Sequence, residues 1–218
     1  MKKIITLWAF LCAALLTVQA ERVILGAEQT KQYLPLLKGK RVALLSNHTG
    51  IVIQGKDTIH TLDLLLKHDV NVTAIFSPEH GFRGTAREGE HVASSVDEKT
   101  GIPILSLYDG KGHRPSKEAM QTFDILITDI QDVGLRFYTY YITMFRLMDA
   151  CAHEGKQFIV FDRPNPNGFY VDGPILDMKH KSGVGALPIP VVHGMTLGEL
   201  AQMINGEYWL YDSLQVEL

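Results

Sequence analysis

Val42-Ala43-Leu44-Leu45-Ser46 is a short apolar run that stops abruptly in Asn47-His48-Thr49. Four further runs stop the same way. TAIFSP (73–78) ends in Glu79-His80-Gly81, ILSL (104–107) in Tyr108-Asp109, ILIT (125–128) in Asp129-Ile130-Gln131-Asp132, and FIVF (158–161) in Asp162-Arg163-Pro164-Asn165. Short runs of this kind alternating with helical patterns are the βα units of a parallel sheet, and ligands of such sheets bind just beyond the carboxyl ends of the strands. Loops carry ionisable groups in any protein because they are solvated. Carboxylate, imidazole and guanidinium at the same end of strand after strand, however, are collected in one cleft. The expected fold is therefore α/β, a Rossmann-like parallel sheet flanked by helices.

Strands are expected at 41–45, 72–76, 104–107, 125–128 and 158–161. Helices are expected over 27–37, after Ser116 and over 138–153. Asp57 reads as the N-cap of a helix through Lys67, with Ile59, Leu62, Leu65 and Leu66 on one face. Thr196-Leu197-Gly198-Glu199 is a capping box that opens a helix to Ile204, and Asn205-Gly206 closes it. The charged stretch 77–101 is long for a loop inside a compact domain, a length that usually signals function. Residues 163–190 are rich in Gly and Pro and should wrap one rim of the sheet irregularly, with Val191-Val192 adding a short strand. Leu214, Val216 and Leu218 alternate as a half-buried strand does, and are expected either to pair with the main sheet or to open a second domain.

Met1 to Ala20 carries Lys2 and Lys3, then ITLWAFLCAALL, then Val18-Gln19-Ala20 with small residues at its first and last positions. This is the pattern of a secretory signal, too short to span a bilayer, so an exported protein, periplasmic or secreted, is expected, with no membrane attachment after cleavage. The expected organisation is thus 1–20 signal peptide, 21–210 Rossmann-like catalytic domain and 211–218 the start of a C-terminal domain. Losing two lysines takes the formal charge from −3 to −5, which disfavours a nucleic-acid partner. Of the two cysteines Cys151 remains, so no intrachain disulfide can form.

The first βα turn, Ser46-Asn47-His48-Thr49-Gly50, lacks G-x-G-x-x-G, and no P-loop occurs anywhere. The architecture is expected without a dinucleotide fingerprint and without a cofactor. No G-x-S-x-G elbow or H-E-x-x-H supports a serine triad or a zinc site.

Three constellations remain. In Ser77-Pro78-Glu79-His80-Gly81-Phe82-Arg83-Gly84, Pro78 fixes the approach, the glycines admit a ligand close to the backbone, and Arg83 offers a planar donor fork. Glu79 in that setting suits a general acid; the plainer reading pairs it with Arg83 in a structural turn. His80 orients Glu79, binds a metal or simply caps the turn. In the second constellation Asp129 and Asp132 stand three apart, with Arg136 and Tyr138 following. Such carboxylates bind sugar hydroxyls, activate water or ligate a divalent ion, unless Arg136 neutralises them in a structural network. Tyr138 at a helix entrance suits stacking on a pyranose face. The third is Asp162-Arg163-Pro164-Asn165, in which flanking prolines pre-order Asn165 as a donor and acceptor pair, although Asx-Pro is also ordinary turn chemistry. His193-Gly194-Met195, ahead of the capped helix, either contacts a ligand or buttresses its loop.

At these residues the chain resembles the exo-β-N-acetylmuramidases of the NamZ type. The matching stretches are LLSNHTG, FSPEHGFRG, TDIQDVGLRFYTY, FDRPNPNG with the following DGP, and PVVHGMTLGELA, in that order. The resemblance implies a secreted glycosidase that releases N-acetylmuramic acid from the non-reducing end of peptidoglycan fragments. Its Rossmann-like N-terminal domain would sit beside a smaller C-terminal one, with the cleft between them. It places the catalytic glutamate on Glu79, with Asp129 or Asp132 activating water or steadying positive charge, or with the sugar's N-acetyl group assisting. The bidentate fork of Arg83, Arg136 or Arg163 would read the lactyl carboxylate, and Asn47, His48, Asn165 and His193 the hydroxyls and amide. Two rivals are a non-catalytic sugar-binding module and a metal-dependent hydrolase in which Asp129, Asp132 and His80 or His48 converge on an ion.

Overall fold

Five apolar runs do form parallel strands. The computed structural model describes residues 22–78, 81–82, 95–107 and 114–218. The strands are β1 (Arg41–Ser46), β2 (Ile51–Gln54), β3 (Asp57–His60), β4 (Asn71–Ser77), β5 (Ser95–Val96), β6 (Pro103–Ser106), β7 (Ile125–Asp129) and β8 (Gln157–Val160). The helices are α1 (Thr30–Leu37), α2 (Thr61–Lys67), α3 (Lys117–Met120), α4 (Tyr140–His153) and α5 (Leu197–Gly206). The main sheet runs β5-β6-β4-β1-β7-β8, parallel except for β5. From β1 the chain builds outward through β4 to β6, then returns to place β7 on β1's other side. That reversal opens a crevice at the carboxyl ends of β1 and β7, where doubly wound sheets bind ligands.

Helices cover both faces, which is why the strands read as continuous apolar runs. Ala43, Leu45, Phe76, Leu126 and Phe158 face the cluster built by α4 and α5, with Met144, Met148, Leu200 and Ile204. Val42, Leu44, Ile75, Ile125 and Ile127 face α1 and α2 through Tyr33, Leu37, Leu62 and Leu65. Each fully buried Leu or Ile contributes about 1.5–3 kcal/mol of transfer free energy, so this two-sided burial of the central strands fixes the sheet.

Residues 51–60 depart from expectation. Asp57 does not cap a helix; it pairs with Gln54 in an antiparallel β2–β3 hairpin, turned through Gly55 at φ +66°. The cap is His60, whose Nδ1 accepts from the Leu62 amide at 3.1 Å, so α2 starts at Thr61. Ile51, Val52, Ile53 and Ile59 are β-branched, and two such runs joined by a two-residue glycine turn favour a hairpin, overriding the helical spacing of Ile59 with Leu62. The helix after Ser116 is a single turn, with the Ser116 hydroxyl accepting from the Ala119 amide at 3.2 Å. The longest helix starts at Tyr140 rather than Tyr138. The capping box forms as read: Thr196 Oγ1 accepts from the Glu199 amide and Glu199 Oε2 from the Thr196 amide, and the helix runs through Gly206.

Val192 joins no sheet strand. It makes antiparallel bridges to Leu135 on one side and Asp172 on the other. At the tail, the Phe158 amide donates to the Glu217 carbonyl at 2.8 Å, and the Asn205 carboxamide holds Val216 through both its amide and its carbonyl. Residues 214–218 therefore lie along the β8 edge with Val216 buried. Among the described residues no helix is long and apolar enough to cross a membrane.

Candidate functional site

At the carboxyl ends of the strands, the polar residues divide into those that hold the scaffold and those that keep a buried polar atom unpartnered. Asp129, the last residue of β7, is fully buried and belongs to the first group. Arg163 Nε donates to its Oδ1 at 2.5 Å and Nη2 to its Oδ2 at 3.1 Å, and the Thr61 hydroxyl donates to the same Oδ2. Arg163 Nη2 also reaches the Ile51 carbonyl at 3.0 Å, so one ion pair ties β7 to the hairpin and to α2. A buried charge demands a partner, and here each satisfies the other.

Three more expected ligand contacts are taken up internally. Arg136, read as a neutraliser of the aspartates or a reader of carboxylate, instead donates through Nη1 to the carbonyls of Pro174 and Ile189 at 2.8 and 2.7 Å. It pins the irregular wrap to the loop after β7. Asp162 accepts from the Thr196 hydroxyl at 2.6 Å and the Gly198 amide at 2.8 Å, capping the positive end of α5. Asn165 accepts from the Asn167 amide at 2.8 Å and donates to the Met195 carbonyl at 2.9 Å. The wrap brings its own carbonyls and amides into the rim, and these groups satisfy them.

Asp132, His193 and Asn47 are different. Asp132 Oδ1 accepts from the Gly134 amide at 2.7 Å, but its Oδ2 is buried with no hydrogen-bond partner among the described residues. Burial pushes its carboxyl up to about 6 against two backbone bonds that pull the other way. His193 Nδ1 accepts from the Met195 amide at 3.3 Å, which leaves the proton of the neutral ring on Nε2. That nitrogen too is buried and unpartnered among the described residues, and desolvation pushes the ring below its ordinary pKa. Asn47 Oδ1 accepts from the Thr49 amide and hydroxyl at 2.9 and 2.6 Å, while its Nδ2 is the third such orphan. Buried polar atoms are rarely left unpaired, so each of these calls for an explanation.

The loop after β7 links these segments. The Gln131 amide donates to Thr49 Oγ1 at 3.0 Å, its Nε2 reaches the Pro164 carbonyl at 2.9 Å, and Asn167 Nδ2 donates to the Val133 carbonyl at 2.8 Å. Thr49, His60, Thr61 and Gln131 were missed in the sequence. The signal was present in His60-Thr61, a capping pair just before the apolar face of α2. Gly134 is central: it sits at φ +71°, and a Cβ there would be driven into the Asn165 carboxamide. Gly134→Ala is expected to destabilise the fold by about 2–4 kcal/mol from left-handed backbone strain plus overpacking, read as a shift in urea midpoint at unchanged m-value.

His48 is exposed, and Tyr138 is 36 % exposed at the entrance to α4 with its ring edge-on to Tyr140. Both stand at the surface. Glu79, His80 and Arg83 lie outside the described residues. What flanks them is clear: Ser77 ends β4 opposite Ser106, the Gly81 amide donates to the Pro78 carbonyl at 3.1 Å, and buried Phe82 packs edge-on against His60 at 5.0 Å. His60 Nε2 in turn donates to the Asn47 carbonyl at 2.9 Å. Among the described residues no three His, Cys, Asp or Glu side chains group so as to hold a metal ion; Asp129 faces Arg163 instead. A cavity of about 810 Å³ opens at the opposite end of β1 and β4, lined by Lys38, Lys40, His68 and Asp69. Its basic residues sit at the carboxyl ends of α1 and α2, whose dipoles they complement, away from the crevice.

Two solved structures share this fold, both DUF1343 family proteins of Bacteroides fragilis. One is 61% identical with a TM-score of 0.79, covering 90% of this chain and 50% of its own. The other is 39% identical with a TM-score of 0.80, covering 91% and 50%. A curated relative, the peptidoglycan β-N-acetylmuramidase NamZ of Bacillus subtilis, is 47% identical over 186 residues, 84% of this chain and 44% of its own length. The chain thus spans about half the length of the relatives it matches. The family model for the N-terminal region of exo-β-N-acetylmuramidase NamZ matches residues 42–217, and the chain belongs to that family.

Proposed function

We propose that the protein is an exported glycoside hydrolase that releases N-acetylmuramic acid from the non-reducing end of peptidoglycan fragments. The observation that carries this reading is Asp132. It is a buried carboxylate with one free oxygen at the strand-order reversal, in a chain 47% identical to a peptidoglycan β-N-acetylmuramidase. Glycoside hydrolysis needs a proton donor on the leaving oxygen and a carboxylate near the developing positive charge. Asp132 takes the second role; Asp129 does not, since both its oxygens are occupied by Arg163 and Thr61.

Glu79 takes the first role. In the sequence it stands two residues after Ser77, which ends β4 at the end of the sheet where β7 leads into Asp132, and three before Phe82, which packs against His60 near the Asn47 turn. Arg83 reads the lactyl carboxylate, because the Arg163 fork is filled and Arg136 is drawn to carbonyls. Asn47, His48, His80 and Tyr138 line the remainder of the subsite, with Tyr138 offering a ring face to the pyranose.

The test pairs a chromogenic β-N-acetylmuramide with the matching glucosaminide, using the protein at its native length. Turnover of the muramide is expected, and Glu79→Gln should lower kcat by roughly 10²–10⁴-fold while sugar binding persists. A fully active Glu79→Gln protein would point to a sugar-binding module with a different acid or none. Turnover of the glucosaminide alone would refute the assigned sugar.

A further inference from the structure

Gly134 holds two residues at once. Its amide donates to Asp132 Oδ1 at 2.7 Å, and its carbonyl accepts from the His193 amide at 3.1 Å. The glycine thus holds the Asp132 carboxylate and the His193 backbone; the two residues are 6 % and 3 % exposed, and each keeps one polar side-chain atom unpartnered among the described residues, Asp132 Oδ2 and His193 Nε2. Those atoms are opposite in kind. The His193 Nδ1 bond to the Met195 amide makes Nε2–H a donor, whereas an ionised Asp132 Oδ2 is an acceptor. Leaving both unmatched costs the fold stability, which a ligand carrying the complementary pair would recover.

We propose that Asp132 and His193 together read the 2-acetamido group of the sugar: its N–H donates to Asp132 Oδ2 and its carbonyl accepts from His193 Nε2–H. A secondary amide is the substituent of such a sugar that presents a donor and an acceptor that cannot exchange roles, matching a pair whose own roles are fixed by Gly134 and Met195. This assignment rests on the glycosidase reading and makes His193 a specificity-determining residue of it. A site that hydrogen-bonds a particular group discriminates strongly against substrates lacking it, because its own polar atoms are then left unpaired.

The experiment compares chromogenic β-N-acetylmuramide with the same glycoside bearing a free 2-amine or a 2-hydroxyl. Wild type is expected to favour the acetamide by about 100-fold or more in kcat/KM. In His193→Phe that ratio should fall at least about tenfold, and His193→Gln, which keeps an N–H donor, should recover part of it. If all three substrates slow in parallel in His193→Phe, the residue is merely structural and the proposal fails; equal use of acetamide and hydroxyl by wild type overturns it as well. Should wild type turn over none of the three, the glycosidase reading itself has failed. Equilibrium binding of N-acetylmuramic acid against muramic acid then decides the recognition claim, with indifference of wild type to the acetyl group counting against it.

Discussion

Asp132→Asn is expected to yield a protein that is more stable than wild type at neutral pH and nearly inactive. Burial raises this carboxyl from 3.8 to about 6, so between about pH 4 and 6 the folded state holds a proton that the unfolded chain has released. Stability therefore falls as pH rises through that window, and above it the fold carries a penalty of about 2–3 kcal/mol. Asparagine removes the charge and keeps the oxygen that accepts from the Gly134 amide, at the cost of an amide N–H₂ left in the orphan position, roughly 1 kcal/mol. A net gain of about 1–2 kcal/mol should raise Tm by roughly 3–8 °C at pH 7.5 and flatten the pH dependence of stability between 4 and 6. Catalysis should move the other way. Loss of the carboxylate proposed to steady the transition state is expected to lower kcat by roughly 10²–10³-fold. The acid limb of kcat/KM near pH 6, where Asp132 ionises in wild type, should vanish. A variant that melts lower than wild type at pH 7.5, or that retains full turnover, would remove Asp132 from the role given to it.

Asp129→Asn should do the reverse to stability. Asp129 and Arg163 are buried together, with side chains 0% and 7% exposed, and breaking one half of such a pair leaves an uncompensated charge costing about 3–5 kcal/mol. The expected drop in Tm is roughly 10–15 °C, the largest of any single carboxylate change at this end of the sheet. Replacing both partners by apolar residues of similar size, Asp129→Leu with Arg163→Met, should recover most of the loss. A Tm within 3 °C of wild type for the single variant, by about the scale of one surface contact, would show that the pair does not bind β7 to the hairpin.

These two aspartates stand three residues apart, and nothing local distinguishes them. Their separation in role comes from contacts 34 and 68 residues away, Arg163 and Thr61. The same holds for Arg136, Asp162 and Asn165, which have the chemistry of ligand contacts but are consumed by carbonyls and amides that the 163–196 segment brings to the rim. Hairpin β2–β3 was misread for a related reason. Ile59 and Leu62 fall at helical spacing, yet Ile59 pairs across to Val52, a choice that cross-strand packing makes and periodicity does not reveal.

What could be read directly was whatever depends on near neighbours. Five apolar runs became five parallel strands because burial on both faces requires continuous hydrophobicity. The Thr196–Glu199 box capped α5 because its two bonds close within one turn. The polar clusters after β1, β7 and β8 marked the rim for the same local reason. Which members of those clusters keep an unpartnered polar atom was settled by folding alone. A buried polar atom takes the nearest complementary group in space, and that group is seldom near in the chain. Asp132 Oδ2, His193 Nε2 and Asn47 Nδ2 are among the five atoms, with Ser77 Oγ and Thr128 Oγ1, for which, among the described residues, no such group arrives.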